Sequence, residues 1–256
     1  MLLTIDIGNT NITLGLYQGE TLRKHWRMAT SNERMPDEYG VMISDLLEHS
    51  GISPKDLEGV CMASVVPPLT SRVIQACNTY LDAEPLNVDY ATRTGVKVLI
   101  DDPKTVGADR IVDVAAVKQF YGGPACVVDF GTATTFDAID AAGAYLGGAI
   151  APGIGISSEA LVRSTAQLPR VDLQAPPNVI GKNTIHAMQS GMLFGYVSMV
   201  EGMVVRFEQQ LGEGMKVIAT GGLAELVAKH THVIQITAPW LTLDGLRLIW
   251  EMNQTK

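Results

Sequence analysis

The same short pattern occurs twice in this sequence. Thr4-Ile5-Asp6-Ile7-Gly8-Asn9-Thr10 and Val127-Val128-Asp129-Phe130-Gly131-Thr132-Ala133 each carry a strand-like run into Asp, an apolar residue, Gly and a polar residue, nearly half a chain length apart. Repeats of about 20–50 residues mark stacked solenoids, whereas a single repeat at half-length marks a duplicated domain. Each copy opens three β-rich segments in meander order: 2–6, 12–17 and 21–28 in the first, 125–130, 135–140 and 144–150 in the second. Turn residues separate them at Gly8–Asn11, Gln18–Glu20 and Ala141–Gly143.

Helix and strand then alternate in both halves. Pro36 opens a helix in which Tyr39, Ile43, Leu46 and Leu47 recur at helical spacing until Gly51 ends it. A short apolar strand over 59–66 precedes Pro67-Pro68, and helical patterns follow over 69–81 and 106–120. In the second half a helix follows Pro152-Gly153, 169–181 is a Pro-containing connector, and 183–210 is a long helix. A strand at 215–219, a Gly221-Gly222 turn and an amphipathic helix over 240–252 complete the pattern. Such alternation defines an α/β protein, expected as two tandem domains over 1–117 and 118–256.

Composition removes several classes of function. With 19 Lys+Arg against 27 Asp+Glu, a net charge of −8, and no basic cluster, the chain is not expected to bind nucleic acid. No window approaches the ~20 apolar residues of a membrane span, and the stretch from Leu146 to Ile156 is broken by Gly and Pro. Cys61, Cys77 and Cys126 lack metal-ligand spacing and are expected as reduced core residues of a cytoplasmic protein.

The duplicated motif has a physical use. Gly lets backbone N–H groups turn inward to form a nest for phosphate oxygens, and Asn or Thr side chains add donors. An Asp cannot touch phosphate without repulsion, so it implies an intervening cation or water shell. A lone β-hairpin of this composition is ordinarily only a hairpin; two in register, one opening each half, point to a polyphosphate site. Competing phosphate motifs are absent. Gly181-Lys182 lacks the upstream Gly of a Walker loop, and Gly153-Ile154-Gly155 lacks the third Gly of a dinucleotide fingerprint.

Gly107-Ala108-Asp109-Arg110 is the second candidate. Asp109 falls in the first turn of a helix, where it reads as a dipole partner or cap. It also reads as the carboxylate that orients an alcohol and takes its proton in phosphoryl transfer, with Arg110 suited to an anionic substrate. Gly221-Gly222 is either a plain turn or a close approach to a flat ligand such as adenine, and Gly147-Gly148 with Pro152-Gly153 stays open in the same way. The five histidines show no zinc pattern, no G-x-S-x-G elbow occurs, and Asp101-Asp102 before Pro103 is a solvated turn. Met188, Met192, Met199 and Met203 lie near one helical face, as core or as a subunit interface.

Taken in order, Asp6–Thr10, Gly107–Arg110, Asp129–Thr135, Gly147-Gly148 through Pro152-Gly153, and Gly221-Gly222 resemble the type III pantothenate kinases over nearly the whole chain. That family belongs to the acetate and sugar kinase/Hsp70/actin superfamily. The resemblance implies two tandem ribonuclease-H-like domains, each a mixed five-stranded sheet with helices, around a nucleotide cleft. It implies ATP-dependent phosphorylation of pantothenate to 4'-phosphopantothenate, the first step toward coenzyme A, with magnesium accompanying ATP. By the same resemblance Asp6, Ile7, Gly8, Asn9, Thr10, Asn11, Ile12 and Thr13 cradle the ATP phosphates, and Thr132 contacts ATP. Asp129 holds a monovalent cation, potassium or ammonium. Gly107, Ala108, Asp109 and Arg110 contact pantothenate, with Asp109 as general base. Thr184, in Lys182-Asn183-Thr184, completes a neighbouring subunit's pocket in a homodimer. One departure stands out: some relatives carry an aromatic residue where this chain has Ile100, so Ile100 is not counted as a substrate contact. Two other functions suit the same scaffold, a nucleotide-gated binding or regulatory protein, and a kinase of another small acid or sugar. The chain is short for a peptide-binding domain or filament insertions, and in a regulatory protein Gly107–Arg110 would have no evident task.

Overall fold

The computed structural model describes residues 1–254. The first half contains β1 (Leu2–Ile7), β2 (Asn11–Gln18), β3 (Thr21–Ala29), α1 (Pro36–His49), β4 (Gly59–Ser64), α2 (Pro67–Ala76), β5 (Leu86–Asn87) and α3 (Ala108–Phe120). The second contains β6 (Ala125–Phe130), β7 (Ala133–Ile139), β8 (Tyr145–Pro152), α4 (Ile154–Arg163), α5 (Thr184–Leu211), β9 (Lys216–Thr220), α6 (Ala224–Ala228), β10 (Ile236–Thr237) and α7 (Leu241–Asn253).

The strands form two five-stranded sheets, β3-β2-β1-β4-β5 and β10-β9-β6-β7-β8. Written from the other edge, the second order is strand for strand that of the first. In each, the Asp-bearing strand is central, paired antiparallel to the next strand of its meander and parallel to the strand after a helical crossover. The duplication seen in the motif is therefore a duplication of topology. The chain also divides into two compact units, each holding one sheet: Met1–Val96 with Asp101–Ala116 and α7, and Lys97–Ile100 with Val117–Trp240.

One face of each sheet is apolar because alternate side chains of a strand share a face. In the first, Leu3, Ile5, Ile7, Ile12, Leu14 and Met62 form a core with Tyr39, Ile43 and Leu47 of α1 and Leu69 and Val73 of α2. In the second, Cys126, Val128, Phe130 and Phe136 pack against Val197, Val200 and Val204 of α5 and Ala224 and Val227 of α6. Leu193, Val197, Val200 and Val204 recur at helical spacing, which makes the buried stripe of α5. Met188 is buried, while Met192, Met199 and Met203 pack beside the core. All three cysteines are buried free thiols, and burial pushes each up to about 12.

The last helix joins the first unit. A break after residue 117 assigns α7 to the second half, yet α7 lies across the other face of the first sheet. The reason is the bare backbone there: a Cβ at Gly15 would stand 2.9 Å from Leu243 Cδ1, and one at Gly59 would overlap the Trp250 ring. Tyr17 also donates to Asp244 Oδ1 at 2.7 Å, and the buried Arg247 guanidinium lies 5.8 Å from the centre of the Tyr17 ring. The helical pattern over 69–81 resolves into α2 and a wider turn over Cys77–Leu81. The two-residue strands β5 and β10 have too little sequence to show a period. Among the described residues, no helix is long and apolar enough to cross a membrane.

Candidate active site

In the first unit, Asp6 stands near the end of β1, level with Thr13 of β2 and Ala63 of β4. The hairpin is closed by the Gly8 N–H donating to the Asn11 carbonyl at 3.0 Å. Thr30, just after β3, fixes the loop: its hydroxyl donates to the Gly8 carbonyl at 2.7 Å and its N–H to the Thr10 carbonyl at 3.0 Å. Because a trans peptide sets its N–H opposite its C=O, turning the Gly8 carbonyl toward Thr30 directs the Asn9 N–H the other way. Asn9, Thr10 and Asn11 are exposed. Thr30 escaped the sequence reading because it lies far from the motif in sequence.

Asp109 occupies the first turn of α3 and is half-buried. Its Oδ1 accepts from the Arg110 N–H at 2.8 Å, so it does act on the helix start as a cap would. Gly107 makes room for it, since a Cβ there would collide with Asp109 Oδ1. Burial pushes the Asp109 carboxyl above the ordinary carboxylate range, while the Arg110 N–H and its positive charge act in the opposite sense. A carboxyl raised in this way accepts a proton more readily than an exposed one, which is what a base for an alcohol needs. Asp101-Asp102 is an exposed turn in which Asp102 caps residues 103–105.

In the second unit, Asp129 holds the place on β6 that Asp6 holds on β1, level with Thr135 of β7 and Thr220 of β9. The hairpin is one residue tighter, Gly131 donating to the Ala133 carbonyl at 3.0 Å with only Thr132 between them. Gly153, which starts α4, donates to the Thr132 carbonyl at 3.0 Å and has no space for a side chain against Gly131 and Thr132. Gly221 follows β9 at φ +87°, and a Cβ there would overlap Asp129 Oδ1. The glycine turn and the acidic hairpin therefore meet, a link the sequence reading did not draw. Thr184 is the exposed first residue of α5, whose cap is Asn183, its Oδ1 accepting from the His186 N–H at 2.8 Å. Ile100 is half-buried and lies 3.5 Å from where a Cβ of Gly147 would stand. Among the described residues no three His, Cys, Asp or Glu side chains gather as a metal cage.

The paired sheets place the chain in the actin-like ATPase and sugar kinase fold. It superposes with a TM-score of 0.58 on component A of the (R)-2-hydroxyglutaryl-CoA dehydratase of Acidaminococcus fermentans, at 13% identity over 99% of each chain. The polyphosphate/ATP-glucomannokinase of Arthrobacter sp. strain KM gives a TM-score of 0.51 at 12% identity, again over 99% of each chain. Sequence is more specific: the model of the type III pantothenate kinase family matches residues 2–206. The type III pantothenate kinase of Roseiflexus sp. (strain RS-1) is 54% identical over 100% of both chains. That of Moorella thermoacetica is 48% identical over 99% of this chain and 100% of its own. The chain belongs to the type III pantothenate kinase family.

Proposed function

We propose that this kinase transfers the γ-phosphoryl group of ATP to the terminal hydroxyl of pantothenate, the first step of coenzyme A biosynthesis, with Asp109 as its general base. The observation that carries the assignment of Asp109 is its carboxyl, half-buried behind Gly107 and held by the Arg110 N–H. From that position it orients the alcohol and takes the proton as the bond to phosphorus forms. Gly107, Ala108 and Arg110 line the pantothenate contact, with the Arg110 guanidinium facing the substrate carboxylate. Residues 6–13 bind the ATP phosphates through the loop that Thr30 fixes, and Thr132 contacts ATP from the second hairpin.

Asp129 holds a potassium or ammonium ion. The residues fit such an ion: a carboxylate with threonines level with it on both neighbouring strands stands among oxygen-bearing side chains, and the bare Gly221 leaves the carboxylate its space. The cation supplies positive charge beside the transferring group. Magnesium arrives with ATP, since it is commonly held by one or two carboxylates and the substrate phosphates.

The protein works as a homodimer in the cytoplasm, with Thr184 completing the partner's pantothenate pocket. Support comes from α5, which carries no Asp, Glu, Lys or Arg from Thr184 to Val200 and exposes Ala187, Gly191, Gly195 and Ser198 along one stripe. Small residues let helix backbones approach closely.

The test is a coupled ADP-release assay across pantothenate, glycerol, acetate and hexoses, in potassium and in sodium. Turnover is expected with pantothenate alone, to fall in sodium, and to fall about 10²–10⁴-fold in Asp109→Asn. ADP release independent of pantothenate refutes the kinase reading; full turnover of Asp109→Asn removes Asp109 as the base.

A further inference from the structure

The face of the second sheet that carries Asp129 holds a chain of hydroxyls and one further carboxyl. Directly paired residues of an antiparallel ladder set their side chains on the same face with Cβ atoms about 4.5–5.5 Å apart, and Thr135 is the direct partner of Asp129. Two residues along β7, on the same face, Asp137 is 1% exposed. It accepts two hydroxyl protons: Thr135 Oγ1 donates to Oδ2 at 3.2 Å, and Tyr145 donates to Oδ1 at 2.9 Å. Tyr145 is itself buried and pinned, its N–H donating to the Lys97 carbonyl at 2.9 Å and its carbonyl accepting from the Leu99 N–H at 2.8 Å.

This arrangement settles which way the Thr135 hydroxyl faces. A hydroxyl that binds a cation must present its lone pairs to the ion and give its proton elsewhere. Asp137 takes that proton, which leaves the oxygen lone pairs of Thr135 on the side away from Asp137, where Asp129 is its neighbour. We infer that Thr135 is a further ligand of the monovalent cation held by Asp129, and that Asp137 is the positioning residue that keeps the Thr135 lone pairs turned to the ion. The inference rests on the assignment of the cation to Asp129.

Neutral hydroxyls around a single carboxylate make a weak oxygen site of low charge, suited to a large monovalent ion over a divalent one. Tyr145 enters through competition. Two hydroxyls need acceptors, and the carboxylate of Asp137 has two oxygens, one for each. In Asp137→Asn a single carbonyl oxygen remains for both, and the amide becomes a donor that Thr135 can accept from, turning its lone pairs away from the ion.

The test titrates potassium chloride against choline chloride at constant ionic strength and follows the melting temperature of the full chain, without turnover. Wild type is expected to gain stability with potassium at a defined midpoint. Thr135→Val is expected to raise that midpoint about 10–100-fold, the usual cost of disturbing a metal's immediate surroundings. Thr135→Ser restores it to near wild type, and Asp137→Asn raises it as Thr135→Val does. Because the readout is the potassium midpoint and not the melting temperature itself, plain loss of packing does not imitate the result; should Thr135→Val not fold, Thr135→Ala serves in its place. A wild-type midpoint in Thr135→Val or Thr135→Ala overturns the ligand, and one in Asp137→Asn overturns its positioning role. Asp129→Asn separates the two levels: loss of the potassium response there with retention in Thr135→Val sinks this inference alone, whereas retention in Asp129→Asn sinks the cation assignment beneath it.

Discussion

Replacing Gly221 by alanine tests how closely the second hairpin is built around Asp129. At φ +87° an alanine is strained by about 1–3 kcal/mol. Its Cβ would stand 2.7 Å from the Phe130 carbonyl carbon and 2.8 Å from the Phe130 nitrogen, and closer still to Asp129 Oδ1. Phe130 belongs to the central strand, tied to β7 on one side, so the backbone cannot retreat and the turn after β9 must move instead. Restoring carbon contacts to about 3.5–4.0 Å requires a shift of about 1 Å. Overpacking of this kind costs about 1–3 kcal/mol, which with the strain gives a loss of about 2–6 kcal/mol. A domain of this size loses about 2–4 °C of melting temperature per kcal/mol, so the variant is expected to melt at least about 4 °C below wild type. The Asp129 side chain must also yield to the new methyl, and misplacing a charged group by about 1 Å can cost about 10²-fold in turnover. Thermal melts and the coupled ADP-release assay in potassium measure both. A variant with wild-type melting temperature and wild-type turnover would show that the contact between this turn and Asp129 constrains nothing.

Three further predictions concern stability. The raised pKa of Asp109 means that the folded state binds its proton more tightly than the unfolded chain, so its contribution is most favourable below the ordinary carboxylate range and is lost as pH rises through the raised value. Asp109→Asn should therefore melt above wild type at pH 7, with the gap closing near pH 3; an equal gap at both would refute the burial argument. Gly245→Ala ordinarily gains about 1 kcal/mol in a helix, but here the new Cβ would lie 2.7 Å from Val112 Cγ1 and overlap the Val112 carbonyl oxygen. Overpacking of about 1–3 kcal/mol set against that gain leaves a net loss of up to about 2 kcal/mol by chemical denaturation, where an unhindered Gly→Ala would show a gain. Gly191→Ala with Gly195→Ala meets open space within the chain, so an isolated subunit should gain about 1 kcal/mol per site. Weaker dimers by sedimentation, together with a more stable monomer, are the expected result; unchanged dimer affinity would move the interface off α5.

The parts of this molecule that could be foreseen were those with a period or a repeat. Asp6 and Asp129 stood out as twins, and their strands proved to be the centres of sheets with matching order. Tyr39, Ile43 and Leu47 kept helical step and proved to be the buried stripe of α1. Contacts made across the fold left no such trace. Thr30 reaches the Gly8 carbonyl from the end of a third strand, and Gly221 reaches Asp129 from a neighbouring parallel strand. Asp137 carried no signal in the sequence; its bonds from Thr135 and Tyr145 are made by the folded sheet. The placement of α7 was hidden for another reason. Its amphipathic pattern announces a helix with a face to cover but not which sheet it covers, and that choice is made by the shape of Gly15 and Gly59.

That helix also imposes an order on biosynthesis. Strands β1, β2 and β4 leave the ribosome early, yet the residues that roof one side of their sheet follow only after the entire second unit has been made. Until then the nascent sheet keeps a greasy, sidechain-poor flank open to water and to other chains, and a ribosome that stalls before Leu241 releases a product with its first sheet half-clad.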